Sequence, residues 1–146
     1  MAYSDVADVE SEFKDLSFTT STNVTSDDVD QFIIEADALI DSFLVKRYVT
    51  PVTSGTVSLE LLKLYSRSIV ADRVRGILAN KQASNTSANQ EVRQGLSRSA
   101  VIKELMGLRD GFTSLPDATR NTTSAFYSKN YTNSVAPIVE KDTKQW

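Results

Sequence analysis

The sequence contains no histidine and no cysteine among its 146 residues. It therefore lacks the commonest general base, the commonest nitrogen ligand for metals and the thiolate nucleophile, and it can form no disulfide. Glycine (five) and proline (three) are scarce, and neither GxGxxG nor GxxxxGK[ST] occurs. No glycine-rich phosphate cradle is on offer. No apolar run approaches the about 20 residues a membrane helix needs, so no membrane partner is expected. The opening MAYSDVADVE has neither a basic n-region nor an apolar h-region, so no secretory signal is expected either. The nearest approach to a nucleophile elbow, Gly95-Leu96-Ser97-Arg98-Ser99, lacks the second glycine and lies within a helical pattern. Catalytic, metal and cofactor sites are all expected to be absent, and the chain is not expected to be an enzyme.

What is present is an ordinary globular composition, 40% hydrophobic and 24% charged, at a length suited to one core. The net charge of -3 conceals an asymmetry. Residues 1–45 carry eleven acids, Asp5 to Asp41, against the single base Lys14. From 60 to 110 the sign reverses, with Lys63, Arg67, Arg73, Arg75, Lys81, Arg93, Arg98, Lys103 and Arg109 against five acids. Such separation suits charge-complementary contact between the two halves, or between neighbouring copies, better than a nucleic-acid footprint.

Periodicity predicts a mainly α protein, a small bundle of about four helices. Ser4 caps the first, to about Leu16, with Val6, Val9, Phe13 and Leu16 on one face. Thr25 or Ser26 caps the second, in which Asp27, Asp28 and Asp30 favour the positive end of the dipole. Its stripe of Val29, Phe32, Ile33, Ala36, Ile40, Phe43 and Leu44 runs on to about Arg47. Residues 45–52 with Gly55 read as a turn or short hairpin arm before Pro51. The third helix starts at a Ser58 cap and reaches about Asn80, and the fourth runs from about Glu91 to Arg109 with Gly111 as its stop. Between them, KQASNTSANQ (81–90) has no aliphatic larger than alanine and reads as a surface loop. After Pro116 no helical period survives. Residues 117–146 nevertheless carry Phe126, Tyr127, Tyr131, Val135, Pro137, Ile138, Val139 and Trp146, anchors for an extended C-terminal arm that orders on a partner. The division expected is a helical body over 1–116 and an arm over 117–146.

The stretch Ala36, Ile40-Asp41-Ser42-Phe43-Leu44, Arg47-Tyr48 and Pro51 resembles the pattern A-x-x-x-I-D-[SG]-[YF]-L-x-x-R-Y-x-x-P of phage head-tail connector and Mu-type head-completion (adaptor) proteins. Tyr3, Asp8, Val9 and Phe13 are similar to that family's opening Y-x-x-x-x-D-[LV]-x-x-x-F, and Leu61, Leu62, Ile69, Val70, Ala71 and Asp72 occupy the place of its next helix. The resemblance covers about residues 1–115; the 81–90 loop and the long tail depart from the family's shorter forms. It implies a structural virion protein of the neck, made in the host cytoplasm. Such a subunit forms a homo-oligomeric ring, typically a dodecamer, between the portal protein and a stopper or tail-completion protein, and DNA passes through unread. In that setting the arm docks on the portal, with a neighbouring connector subunit as the alternative target, and Asp37 and Asp41 are expected to meet Arg67, Arg73 and Arg75 across subunits. Another neck or tail-completion protein is the alternative, and a small DNA-binding regulator the less favoured one.

Overall fold

A computed structural model describes residues 2–13, 16–82 and 97–121 of the chain. Four helices follow in order: α1 Val6–Glu10, α2 Ser26–Leu44, α3 Thr56–Gln82 and α4 Arg98–Asp110. No strand occurs among the described residues; a lone antiparallel bridge joins Tyr48 to Arg120. Helix α2 packs against both α3 and α4, with α1 across the α2–α3 pair. Glu35 meets Arg73 while Asp37 meets Ser66, so α2 and α3 run antiparallel. Arg98 N–H donates to Asp72 at 3.1 Å, and Arg47 reaches Leu108. Hence α4 reverses α3 and runs alongside α2.

The apolar stripes do the packing. Val29, Ile33, Ala36, Ile40 and Leu44 of α2 close on Leu62, Tyr65, Ile69, Val70 and Val74 of α3 and on Val101, Leu105 and Leu108 of α4. Burying one such aliphatic side chain contributes about 1.5–3 kcal/mol, so these rows hold the bundle.

Several boundaries differ from the sequence expectation, each for a local reason. Helix α1 begins after Asp5, not Ser4: Asp5 and Asp8 form a reciprocal capping box. Ser4 is instead buried, its hydroxyl 2.8 Å from that of Ser66. The helix stops at Glu10 because Glu12 and Phe13 bond back to Val9 and Glu10 in tighter turns. Thr25 caps α2 in a second box with Asp28, so the first-turn acids serve the helix end. Leu44 closes α2 three residues before Arg47, since Arg47 and Tyr48 N–H groups both return to the Leu44 carbonyl. Residues 45–55 form the expected turn, not the hairpin arm offered beside it. They contain a cis Thr50–Pro51 bond and pair with the chain beyond α4, through Val49 N–H to Thr119 at 3.0 Å and Asn121 N–H to Arg47 at 2.8 Å.

Helix α3 begins at Thr56, two residues before the expected Ser58 cap. Its cap comes from far along the chain. The Asp117 carboxylate accepts from Val57 N–H at 3.0 Å and Ser58 N–H at 2.9 Å, and also from the Ser58 hydroxyl. Those orphan donors at a helix start are what a local cap would otherwise satisfy. Gly55 makes this approach feasible: with φ +95 it occupies left-handed space, and a Cβ there would lie 2.6 Å from Asp117 Oδ1. Helix α4 starts on a Ser97 cap, so the hydroxyl of the elbow-like segment is spent on Ala100 N–H. Gly111 ends it in the left-handed region, as expected. The expected α4 start at Glu91 lies outside the described residues.

Candidate functional site

The charged residues expected at subunit contacts are engaged within one chain. Asp37 is buried at 8% exposure and accepts from Tyr3 N–H at 2.8 Å and from the Ser66 hydroxyl at 2.6 Å. Asp41 accepts from the Tyr3 phenol at 2.5 Å. The same phenolic oxygen accepts from Val52 N–H at 3.0 Å. Tyr3 thus ties the N-terminus to α2 and to the 49–52 turn. Its phenol is pushed up from the ordinary value, mainly by burial and then by the bond to Asp41. Burial likewise raises the Asp37 carboxyl, opposed by the bonds from Ser66 and Tyr3 and reinforced by the charge of Asp41.

The arginines also find partners at home. Arg67 and Arg75 approach Glu12 at 3.2 and 3.7 Å, and Arg73 pairs with Glu35 while lying 3.9 Å over the Phe32 ring. Lys63 meets Asp8 at 2.7 Å. The acidic first half and basic second half therefore complement each other inside the subunit. The Asp37 carboxylate is buried and taken up by Tyr3 and Ser66 of its own chain.

What faces outward is an apolar end of the bundle. Val45, Val49, Val57 and Phe112 are 54, 51, 61 and 88% exposed. The four flank the C-terminus of α2, the N-terminus of α3 and the C-terminus of α4, which the antiparallel arrangement brings to one end. Beneath them the frame is well fixed. Arg47 Nη1 donates to the Leu108 and Thr113 carbonyls at 3.1 and 3.4 Å, serving the end of α4. Tyr48, 1% exposed, accepts from Leu115 N–H at 2.9 Å through its phenolic oxygen. Residues 117–121 run across this end, and the expected partner-binding arm leaves from it. Its anchors Phe126, Tyr127, Tyr131, Val135, Pro137, Ile138, Val139 and Trp146 lie outside the described residues. Ile34 on α2 and Met106 on α4 are exposed as well. Sequence reasoning missed the four at this end, for which the available signal was a phenylalanine directly after the glycine that stops α4.

A hydrogen-bonded frame with several exposed apolar side chains at one end suits protein contact. Comparison with known families decides the wider setting: the family model described as Bacteriophage Mu, Gp36 matches residues 3–130. The chain belongs to that family. The match takes in the whole described body, including the Tyr3 clasp, the Arg47-Tyr48 corner and the Asp117 cap. It places the chain among Mu-type bacteriophage proteins, and so with phage structural or assembly components. No curated protein and no solved structure matches the chain. Among the described residues no helix is long and apolar enough to cross a membrane.

Proposed function

We propose that this phage protein is a non-enzymatic head-tail connector subunit of the virion neck. In this reading it assembles into a ring, a dodecamer in the particle, between the portal protein and a stopper or tail-completion protein. DNA passes through the lumen unread. The observation that carries the reading is the gathering of Val45, Val49, Val57 and Phe112 at the end from which the C-terminal arm departs. Scattered apolar residues on a surface need no explanation, but four at one end of a small bundle, over a hydrogen-bonded frame, favour a docking face. The arm adds anchors beyond that face, and portal docking is assigned to this combined surface.

The test is a mass measurement on the full chain with and without its portal protein, by sedimentation or native mass spectrometry. A ring, or a complex with portal, is expected. Phe112→Ser together with Val49→Ser should weaken portal association at least tenfold while leaving helicity unchanged. Duplex DNA binding with a steep salt dependence and no portal association would replace the connector with the regulator reading.

A further inference from the structure

At the far end of the bundle from the docking face, residues 16–24 and the end of α3 enclose a hollow of about 240 Å³. Leu16, Phe18, Val24 and Leu78 make its apolar wall, and Ser21, Thr22 and Asn23 its polar lip. The wall is held in place. Phe18 N–H donates to Glu10 at 2.7 Å, its ring meets Phe13 edge-on at 6.0 Å, and the Thr22 hydroxyl lies 2.7 Å from the Thr19 carbonyl. A cavity of about 150 Å³ already accommodates a benzene ring, so this one has room for an aromatic side chain. The neighbouring stretch 81–90 offers no aliphatic side chain larger than alanine to fill it.

The chain does contain a fitting occupant. The first large apolar residues after Asn121 are Phe126 and Tyr127, followed closely by Lys129 and Tyr131. A few residues along the chain from Val24, the exposed Asp27 and Asp30 stand in the first turns of α2, outside the lining of the hollow. An aromatic pair with a nearby lysine complements an apolar hollow with acids a few residues along the chain. Length decides whose arm it is. Asn121 is bonded beside Arg47 at the docking end, and the lengths of α2 and α3 place the hollow about 27–33 Å away at 1.5 Å per residue. Fully extended chain from Asn121 reaches only about 16–22 Å at Phe126 and Tyr127.

Resting on the reading of this chain as an assembly subunit, we infer that the hollow receives the Phe126–Tyr127 pair of a second copy. The arm leaves one end of the body and the hollow opens at the other, so the contact joins unlike patches. Contacts of that kind propagate from copy to copy and close a ring when the rotation permits. The more distal anchors, Val135 to Trp146, remain for the portal.

Since the chain has no cysteine, single-cysteine variants of the full-length protein report this contact cleanly. Chains bearing Ser21→Cys, at the exposed lip, are mixed under mild oxidation with differently tagged chains bearing Ser128→Cys. The mixed disulfide should exceed either homodimer at least tenfold, and Phe126→Ser with Tyr127→Ser in the Ser128→Cys chain should cut its yield at least tenfold. A Ser21→Cys/Ser128→Cys double variant that closes within one chain at high dilution, with no interchain product, would overturn the inference. Absence of the mixed disulfide in chains that still sediment as rings or bind portal would overturn it while leaving the connector reading intact. Loss of crosslinking, self-association and portal binding in the wild-type background would remove both.

Discussion

Replacing Asp37 separates its two jobs, as hydrogen-bond acceptor and as buried charge. Asp37→Ala orphans the Tyr3 N–H, a buried donor, at a cost of about 1–3 kcal/mol, and removes the bond from Ser66 for about 1 kcal/mol more. The Ser66 hydroxyl retains Ser4 as a neighbour, which limits the second loss. The total is about 2–4 kcal/mol, and at roughly 3–4 °C per kcal/mol for a domain of this size the melting temperature falls by about 6–16 °C. Asp37→Asn behaves differently. Its amide oxygen can take the Tyr3 N–H while its NH2 donates to Ser66, which turns its own proton toward Ser4. The Tyr3 N–H stays paired and the buried charge is gone, while the Ser4 hydroxyl and one amide N–H are left without an acceptor, so the loss is about 1–2 kcal/mol, smaller than for alanine. The sign with pH follows from burial, which raises the folded Asp37 carboxyl above its unfolded value. A contribution of that kind is fully present at low pH and is lost as pH rises through the folded value. The wild type should therefore gain on Asp37→Asn as pH falls from neutrality through the carboxylate range. Urea unfolding followed by circular dichroism across pH measures all three proteins. Equal losses for alanine and asparagine, or a wild-type advantage that shrinks in acid, would refute the account.

Arg47→Met withdraws the guanidinium from the Leu108 and Thr113 carbonyls and should lower unfolding free energy by about 1–2 kcal/mol in denaturant titrations; an unchanged midpoint contradicts the capping role. Gly111→Ala forces a side chain into φ 91, with its Cβ 2.9 Å from Arg47 Nη1, and should cost about 1–2 kcal/mol. Part of that cost should vanish in the Arg47→Met background, so a double-mutant cycle that comes out strictly additive counts against the clash. The Asp117 carboxyl is held below its ordinary range, first by the Ser58 hydroxyl, against burial, with the Val57 and Ser58 N–H groups adding to the effect. Its contribution is present near neutrality and lost as pH falls through the folded value. Asp117→Asn should therefore be less stable at pH 7 yet show a flatter decline in acid; parallel acid transitions for the two proteins would show that Asp117 is not the group responsible.

The elements written locally were the legible ones. Thr25 with Asp28, the stripe from Val29 to Leu44, and Gly111 after α4 all act within a few residues of where they stand, and the bundle follows from them. Charge complementarity was legible as a pattern, but a sequence cannot say whether Glu12 meets Arg67 and Arg75 of its own chain or of another. Asp37 is a case of the same kind: nothing near it in sequence shows that Tyr3 and Ser66 of the same chain converge on it. The start of α3 was misplaced because its cap stands at Asp117, with no local trace. The exposure of Val45, Val49 and Phe112 was illegible for a related reason, since whether such residues are covered depends on neighbours distant in sequence. Phe18 and Val24 are buried in the irregular segment between α1 and α2, where no helical stripe marks them.

The remote cap of α3 also bears on when this body can close during synthesis. Helix α3 ends at Gln82, and the side chain that completes its first turn is Asp117. The intervening stretch takes about 2–7 s to make at 5–20 residues per second. Throughout that interval Val57 and Ser58 have only water for their N–H groups, and Tyr48 and Val49 lack the 119–121 segment that pairs with them. Neither α3 nor the 45–52 turn has its full set of partners until translation has passed Asn121. A nascent chain interrupted earlier therefore carries an open helix end and a turn without its pairing segment.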